Sequence, residues 1–360
     1  MLGRRRRRRH LADDAEPTIA IAGAGAIAVV HTLAAPSAGC RVVAVASAGG
    51  RSARHLAAQL DEQHSYDVAH VSVDELPAGA DVLLVATPAE HHAELALAGL
   101  AAGADVLVEK PITTTLTDAD RLVDAAARAA GVDGSGPILR CAENLLHSPA
   151  WATVMAHRDR MGPLQHLSLR TLQPPPTWGH FGRPLASGGV LFDLGPHPVA
   201  LVMELTGERV VGVAASLSST REDGADDDAS LRLRLGSGLT ATLDVSWINP
   251  DAEWSLQAAS ADGVVRLELQ PTLLVELDGE PVQVGDRYPE AVDPFLERAG
   301  YIDQLVDLTG GGRRGQTPGQ ARDVLEVICA AYRSAGIGGA EVALPFTGDR
   351  SLTPMQLWRS

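Results

Sequence analysis

Apolar runs of strand length alternate with helix-compatible segments through the first third of the chain. The apolar runs cover residues 18–22, 41–47, 81–87 and 105–109. Segments with helical spacing lie between them, at residues 28–34, 52–60 and 90–101. Strands that are apolar along their whole length are buried on both faces, which is typical of a parallel sheet covered by helices. The pattern predicts an α/β domain over residues 17–145.

The pattern changes beyond Pro149, where apolar and polar residues largely alternate. Six segments show it, at residues 165–172, 210–217, 230–235, 239–247, 254–259 and 264–270. A period of two is typical of half-buried antiparallel strands, and Gly236-Ser237-Gly238 has the composition of a hairpin turn. Residues 301–308 and 319–333 have helical spacing. We predict a second, α+β domain over residues 146–360, with a large, mainly antiparallel open sheet whose uncovered face would be an apolar patch.

A glycine-rich segment follows the first apolar run and reads Gly23-Ala24-Gly25-Ala26-Ile27-Ala28. Gly23 permits a tight turn, Gly25 lets a pyrophosphate approach the backbone, and Ala28 is small enough for close packing of helix on strand. The N–H groups at the start of the helix, at Ala26 and Ile27, then face the phosphates. The motif alone also suits a purely structural turn. The alternation around it favours an N-terminal Rossmann dinucleotide-binding domain.

The end of the second strand selects between NAD and NADP in such domains. A carboxylate there bonds the ribose 2′-hydroxyl of NAD and repels a 2′-phosphate. This chain has Ser47 at that position, with Arg51 four residues later. A hydroxyl and a guanidinium suit a 2′-phosphate, so the sequence favours NADP, with NAD as the alternative. The competing interpretation is that Arg51 belongs to a solvated helix face.

The distribution of charge excludes several classes of partner. The formal net charge is −15, and the run Arg4–Arg9 contributes six positive charges, so the rest of the chain is more acidic still. An acidic body repels nucleic acid. The mean hydropathy is +0.03, and no apolar run has the length of a membrane span. We expect neither a nucleic-acid nor a membrane partner, and we expect residues 1–16 to be a disordered basic tail.

The cysteines bear on the cellular compartment. Cys40, Cys141 and Cys329 are odd in number and far apart, which fits a reducing cytoplasm and predicts no metal site. The arginine run, the apolar stretch after it and Cys40 also imitate the signal of an exported lipoprotein. Acidic residues between the two stretches interrupt that signal, and cleavage before Cys40 would remove the glycine-rich segment. We expect a cytoplasmic protein, with export as the alternative.

Lys110 is the only lysine among the 30 Lys and Arg residues of the chain. Arginine does not lose its proton in proteins, whereas a partly buried lysine can titrate. Lys110 directly follows the apolar run 105–109, at the carboxyl end of a predicted parallel strand, where open α/β sheets bind ligands. Pro111 restricts the backbone just after it. The position favours a chemical role for this side chain.

Three motifs lie along the chain in a definite order. One predicted strand ends in Thr87-Pro88-Ala89-Glu90-His91-His92, and the next ends in Glu109-Lys110-Pro111. Much later comes Gly188-Gly189-Val190-Leu191-Phe192-Asp193-Leu194-Gly195-Pro196-His197. In these motifs the chain resembles the Gfo/Idh/MocA family, named for glucose–fructose oxidoreductase, inositol dehydrogenase and a rhizopine-catabolism protein. The resemblance runs from about Thr18 to Pro345.

The resemblance implies that Lys110 and His197 flank the nicotinamide ring and the substrate carbon, with Asp193 nearby. Hydride transfer needs a group that takes the hydroxyl proton and a cation that stabilises the developing alkoxide. His197 suits the first role and Lys110 the second, or the roles are exchanged, while Asp193 orients the imidazole. The competing interpretation makes Asp193 a helix cap and His197 a packed helix-start residue. The predicted cofactor-binding residues are Gly23, Gly25, Ala26, Ile27, Ser47, Arg51, Thr87, Pro88, His92, Glu109 and Lys110, with His92 noncatalytic.

The implied substrate is a secondary alcohol or ketone of a sugar, cyclitol or related polyol. Family members often carry an acidic residue and an arginine beside the substrate where this chain has Ala200 and Leu146, which weakens the case for a polyol held by charged groups.

The resemblance further implies a homo-oligomer, a dimer or tetramer, formed through the second sheet. The loop at residues 174–181, with Trp178, either roofs the substrate or lies on the surface. The alternative function is a noncatalytic NADP-binding sensor or scaffold of the same fold.

Overall fold

The computed structural model describes residues 16–64, 67–177, 185–285, 287–288, 293–312 and 314–360. The predicted basic tail up to residue 15 and the aromatic residues 178–181 lie outside the described residues.

The first sheet is parallel and has the predicted helices between its strands. Its strands are β1 (Thr18–Ala22), β2 (Arg41–Ala46), β3 (Ala69–Val71), β4 (Val82–Val85), β5 (Asp105–Glu109) and β6 (Leu139–Ala142). Its helices are α1 (Ala26–Ala34), α2 (Arg51–His64), α3 (His92–Ala101) and α4 (Leu116–Ala130). The strand order is β3-β2-β1-β4-β5-β6, and every described pair is parallel. The order reverses between β1 and β4, the point at which such sheets bind ligands, and the predicted Rossmann fold is confirmed.

The second sheet is mixed and mostly antiparallel, as predicted. Its strands are β7 (Leu164–Leu172), β8 (Val210–Ser218), β9 (Asp228–Leu235), β10 (Thr240–Ser246), β11 (Glu253–Ser260), β12 (Val264–Gln270), β13 (Leu274–Leu277), β14 (Glu280–Val282) and β15 (Val342–Ala343). They lie in the order β14-β13-β12-β11-β7-β10-β9-β8-β15. β7 and β10 form the one parallel pair among the described strands of this second sheet, because the chain leaves β7 through helices before it returns to the sheet. Leu235 and Leu239 are joined by a backbone hydrogen bond across the predicted hairpin turn.

Helices cover one face of this sheet. The helices of this half of the chain are α5 (Pro149–His157), α6 (Val190–Leu194), α7 (Pro196–Thr206), α8 (Pro294–Arg298), α9 (Tyr301–Thr309), α10 (Pro318–Gly336) and α11 (Pro354–Arg359). Those that contact the strands of the sheet are α5, α6, α7 and α10. α10 is the longest of them and is buried along most of its length, from Ala321 to Ser334. Its start is capped by Thr317, whose hydroxyl accepts the N–H of Gln320 while the Gln320 side chain accepts the N–H of Thr317. α6 and α7 place the third sequence motif between this sheet and the first one.

The other face of the second sheet is polar, and the predicted apolar patch is wrong. Along β9 the buried leucines alternate with exposed residues such as Arg232 and Arg234. Arg234 pairs with Glu341 at 2.7 Å, and Arg170 pairs with Glu253 at 2.8 Å on the same face. The strands obey the predicted alternation, but the outward positions carry charges and hydroxyls that are stable in water. Oligomerisation through this sheet stays a prediction and has no support from exposed apolar area.

The second half of the chain also closes the core of the first. Leu296 on α8 and Ile302, Leu305 and Leu308 on α9 are buried in one apolar cluster with strands β1, β2 and β4 and with α1. The segment from α8 to α9 therefore packs as an extra layer on the Rossmann sheet. This brings Tyr301, at the start of α9, to the edge of that sheet where ligands bind.

In the part of the chain that the structure describes, no helix combines the length and the apolar character that crossing a membrane requires.

Acidification should destabilise the fold through His147. This side chain is 2% exposed, and neither ring nitrogen has a hydrogen-bond partner among the described residues. Burial lowers the pKa of His147 to about 4. The unfolded chain then binds more protons than the folded one between pH ~6.5 and ~4, so stability falls as the pH falls through that window, by up to about 3 kcal/mol. Unfolding free energies measured across this range should fall less steeply for His147→Leu than for the parent. Parallel curves would contradict the assignment, and His70→Leu, at an exposed position, controls for loss of an imidazole as such.

Candidate active site

The glycine loop joins β1 to α1 and has the geometry that a pyrophosphate needs. Gly23 has φ +117°, and a Cβ on it would lie 2.2 Å from the carbonyl oxygen of Ala86, so only glycine fits there. Gly25 precedes α1 and no side chain caps the helix. A Cβ on Gly25 would meet nothing within 4 Å, so this side of the loop is open. The first N–H groups of α1, at the exposed Ala26 and half-buried Ile27, are available to an anion, and the loop fits a dinucleotide.

The loop from β2 to α2 contains Ser47 and Arg51. The hydroxyl of Ser47 accepts the N–H of Ala53 at 3.2 Å and so caps the start of α2. Arg51 is the first residue of α2 and is exposed, as is Arg54 one turn later. Residues 47–51 include no carboxylate. The charge at this helix start is therefore positive, and its neighbourhood suits an anionic group.

His92 connects the ends of β4 and β5. Its Nε2 lies 2.8 Å from the carbonyl oxygen of Thr87, and its Nδ1 lies 2.9 Å from that of Pro111. Burial lowers the pKa of His92, so the neutral ring donates to one of these carbonyls at a time. The imidazole is 1% exposed and thus braces the two loops rather than facing a cofactor. Thr87 is half-buried and Pro88 exposed on the same loop, where a ligand at the sheet edge meets them.

Glu109 is turned inward from the end of β5. Its Oε1 lies 2.7 Å from Nε2 of His31 on α1, and its Oε2 accepts the backbone N–H of Lys110 at 3.1 Å. Both side chains are buried. The carboxylate therefore fixes the backbone at Lys110 to the helix that follows the glycine loop, and its contribution to a cofactor site is indirect.

Lys110 crosses from the first domain to the second. Its Nζ donates at 2.8 Å to the backbone carbonyl of Asp193 and at 2.8 Å to Oδ1 of the same residue. Burial acts to lower the pKa of Lys110, but the carboxylates of Asp193, Glu109 and Glu143 outweigh it and raise the pKa above its ordinary value. This shift favours the cationic form of the amine at neutral pH. An ammonium has three N–H groups, so one is left for a ligand.

Asp226 fixes the backbone just before Asp193. The carboxylate of Asp226 accepts the backbone N–H groups of Gly189 and Leu191, each at 2.8 Å, and also the hydroxyl of Tyr332. Gly189 is needed because a Cβ there would lie 1.9 Å from the backbone oxygen of Asp226. The buried carboxylate thus fixes the start of α6, the helix that carries Asp193. Asp226 belongs to the acidic segment of residues 222–227 between β8 and β9, and it is fully buried.

His197 is paired with Glu143 and not with Asp193, so the prediction that Asp193 orients the imidazole is wrong. The Nδ1 of His197 lies 2.6 Å from Oε1 of Glu143, and the carboxylate is 1% exposed. Since a carboxylate accepts hydrogen bonds, this contact favours the tautomer with its proton on Nδ1. Nε2 is then a proton acceptor. Asp193 is committed to Lys110, and the two functional groups have separate acidic partners.

Two aromatic side chains complete the site. Tyr301 packs edge-on against His31, with ring centroids 5.4 Å apart. Burial raises the pKa of Tyr301, and the nearby carboxylates of Glu109, Glu143 and Asp193 raise it further, so the phenol is a hydrogen-bond donor. The ring of Trp254 on β11 lies 5.5 Å from that of His197. His197, Trp254 and Tyr301 all line one cleft of about 930 Å³, whose described lining comes mostly from the second half of the chain.

The sequence pattern does not predict Glu143, Asp226, His31 or Tyr301. Glu143 is the first residue after β6, so it occupies the same position at a strand end as Lys110 does after β5. The sequence does not show this, because β6 is short and has Arg140 at its second position. Asp226 and Tyr301 are far in sequence from every motif, and no local signal marks them. Ala200 and Leu146 are buried and half-buried apolar residues, so no charge replaces those that relatives often carry there.

Two sequence models of one oxidoreductase family match the chain. The model of its NAD-binding Rossmann domain matches residues 18–132, and the model of its C-terminal domain matches residues 152–266. Together they cover more than half of the chain.

Relatives and solved structures agree with these matches. The chain is 27% identical to inositol 2-dehydrogenase of Rhizobium meliloti (strain 1021) over 307 residues, which are 81% of this chain and 88% of that protein. It is 31% identical to 1,5-anhydro-D-fructose reductase of Ensifer adhaerens over 199 residues, which are 53% of this chain and 59% of that protein. GenD2 from gentamicin A biosynthesis, solved in complex with NAD, has the same fold, with a TM-score of 0.74 at 23% identity over 95% of this chain and 99% of that one. The chain belongs to the Gfo/Idh/MocA family of NAD-binding oxidoreductases.

Proposed function

We propose that the protein transfers a hydride between a nicotinamide cofactor and a secondary alcohol or ketone of a sugar, cyclitol or related polyol. The observation that carries the proposal is the pair of separately supported groups at the junction of the domains. Lys110 is a cation bound to Asp193, and His197 is an imidazole bound to Glu143. Relatives named inositol 2-dehydrogenase and 1,5-anhydro-D-fructose reductase support the substrate class.

The residues divide the chemistry between proton transfer and charge stabilisation. When bound, the nicotinamide accepts the hydride from the alcohol carbon or returns it to the ketone. In the oxidation direction, Nε2 of His197 takes the hydroxyl proton, because Glu143 favours the opposite nitrogen as the site of its own proton. The third N–H of Lys110 stabilises the negative charge that develops on the oxygen. In the reduction direction the imidazolium returns the proton.

The amides at the start of α1 hold the pyrophosphate, and the loop from Ser47 to Arg51 selects the adenosine end. We propose NADP as the preferred cofactor, since Arg51 supplies a cation there and no carboxylate opposes a 2′-phosphate.

Replacement of Lys110 by arginine tests the proposed reaction. Lys110→Arg keeps the charge but puts a larger, planar group in a position fitted to an ammonium. We expect single-turnover hydride transfer, assayed by nicotinamide absorbance across a panel of sugars and cyclitols, to fall about a hundredfold or more. Cofactor affinity should change little, because the glycine loop holds the phosphates. Arg234→Lys, in an exposed ion pair, is the matched control and should be silent. Near-normal transfer in Lys110→Arg would remove Lys110 from the mechanism.

A second variant tests the partner of the imidazole. Glu143→Gln keeps the size of the side chain but removes the charge that stabilises the imidazolium during proton transfer. We expect kcat to fall about tenfold or more, with KM and cofactor affinity much less affected. Asp193→Asn provides the contrast, because it acts on Lys110 and leaves the His197 pair intact. Equal kcat in Glu143→Gln and the parent would show that the contact between Glu143 and His197 has a structural role only.

Cofactor preference should reverse in the double variant Ser47→Asp, Arg51→Ala. The introduced aspartate would still cap α2 through the N–H of Ala53, while its charge repels a 2′-phosphate. We expect the ratio of NADPH to NADH affinity to fall by about tenfold or more, since a charge-assisted hydrogen bond contributes about 1.5–3 kcal/mol. Ser47→Asn caps the helix without a charge and should leave the preference unchanged. Tighter binding of NADH than NADPH by the parent protein, measured by fluorescence titration, would contradict the proposed preference.

A further inference from the structure

The cleft that contains His197 extends well beyond the groups that would contact a reacting sugar ring. Its described lining includes Asn144, Gln173 and His197 at the inner end and reaches Phe295 and Arg298. No described lining residue belongs to the glycine loop, so the pyrophosphate of a cofactor lies outside this volume. At about 930 Å³ it lies at the upper end of pockets that hold drug-sized ligands, ~300–1,000 Å³. A single hexose or cyclitol is too small to fill it.

The walls of the cleft are mainly apolar. Its polar lining includes Thr177, Gln270, Asp293 and Arg298. The apolar lining residues are Trp254 beside His197 and, further along, Leu269, Leu273, Pro271, Pro294 and Phe295. A polyol hydroxyl placed against these side chains would lose its hydrogen bonds to water and gain none. Asn144 lies at the inner end, where one N–H of its amide donates to the carbonyl of Ala299 at 2.8 Å. The outer part of the cleft is therefore suited to a group without hydroxyls.

Aromatic rings lie along the cleft from the reacting end outward. The ring of Trp254 is 5.5 Å from His197, and the ring of Phe295 is 6.1 Å from that of Tyr301. Phe295 is 47% exposed, although it is one of the largest apolar side chains of the chain. A flat apolar group laid against Phe295 would cover its exposed ring, and aromatic rings favour such contacts.

The charges in the cleft do not suit a nucleotide-linked sugar. Among the described lining residues, Arg298 is the one arginine and Asp293 the one acid. A diphosphate with its two negative charges needs several donors or cations, whereas an uncharged ligand needs none.

We propose that the substrate is a glycoside whose sugar ring reacts at His197 and whose second part is an uncharged, apolar or aromatic aglycone lying against Trp254, Leu269, Leu273 and Phe295. This inference rests on the proposed function, because it assigns the unreacting half of the substrate of the same site. The aglycone contributes binding without taking part in the hydride transfer. It therefore acts on KM more than on kcat.

The test compares substrates that share one sugar and differ in the group on the anomeric oxygen. Free D-glucose, methyl β-D-glucoside, phenyl β-D-glucoside and 2-naphthyl β-D-glucoside are assayed with both cofactors, together with the matching galactosides and with UDP-glucose. We expect kcat/KM to rise about tenfold or more from the methyl to the aryl glycosides, mostly through KM. Equal values for methyl and aryl glycosides, or a higher value for UDP-glucose, would overturn the proposal.

Variants of exposed apolar residues test which side chains cause the preference for aryl over methyl glycosides. Phe295→Ala should remove most of the preference for aryl over methyl glycosides. Val306→Ala, at another exposed apolar position on α9 outside the cleft lining, should leave that ratio unchanged. An unchanged ratio in Phe295→Ala would place the aglycone elsewhere and overturn the assignment.

A binding measurement separates this inference from the proposed function. Quenching of tryptophan fluorescence by phenyl and methyl glycosides is titrated on the complex with oxidised cofactor. If no compound is turned over but the aryl glycosides bind more tightly, the proposed reaction fails and the assignment of the cleft stands. If sugars are oxidised but both glycosides bind equally, the inference about the aglycone fails alone.

Discussion

The ammonium of Lys110 lies between two domains and is bound by two oxygens of one residue of the second domain. A buried charge without a partner costs several kcal/mol, so the first domain cannot place Lys110 at the sheet edge unless the second brings Asp193 to it. That requirement fixes α6 relative to β5. Because His197 follows Asp193 by one helical turn, the same contact also sets where the imidazole stands. The geometry of the whole site therefore depends on one interdomain ion pair.

The supports of this pair are themselves buried carboxylates with different partners. Asp226 is bound by backbone N–H groups and a phenol, Glu109 by a histidine and a backbone N–H, and one oxygen of Glu143 by a histidine. Buried carboxylates that are bound in this way hold their partners in a fixed geometry. Glu109 and Glu143, together with Asp193, surround Lys110 with negative charge, which favours the protonated amine in an interior that would otherwise favour the neutral form. Structural and chemical roles are therefore combined in the same side chains.

The sequence predicts the architecture well because the architecture depends on periodic burial. β1, β5 and β12 begin and end where their apolar patterns do, since each strand is buried on one or both faces along its length. β6 is not predicted, because its four residues include Arg140 and are too few to show an apolar pattern. The sheet face opposite the helices shows a different limit of prediction from sequence. Alternation identifies the outward-facing positions of β9, but it does not predict whether they are covered by a partner or exposed to water.

The site is predictable only in part, because motifs identify residues and not their partners. Lys110, Asp193 and His197 follow from short motifs at strand and helix ends. Which carboxylate binds which base is a three-dimensional fact, and Glu143 takes the place expected of Asp193 because β6 ends closer to the imidazole. Tyr301 joins the site through the packing of α9 on α1, which no spacing in the sequence encodes.

The packing of α8 and α9 on the Rossmann sheet has a mechanical consequence. A motion that lifted α8 and α9 off this sheet would expose Leu296, Ile302, Leu305 and Leu308 to water. At about 1.5–3 kcal/mol for each side chain, this separation would cost roughly 6–12 kcal/mol. This is comparable with the whole stability of an ordinary domain, about 5–15 kcal/mol. Any hinge between the two halves of the chain therefore leaves α8 and α9, with Phe295 and Tyr301, on the Rossmann side.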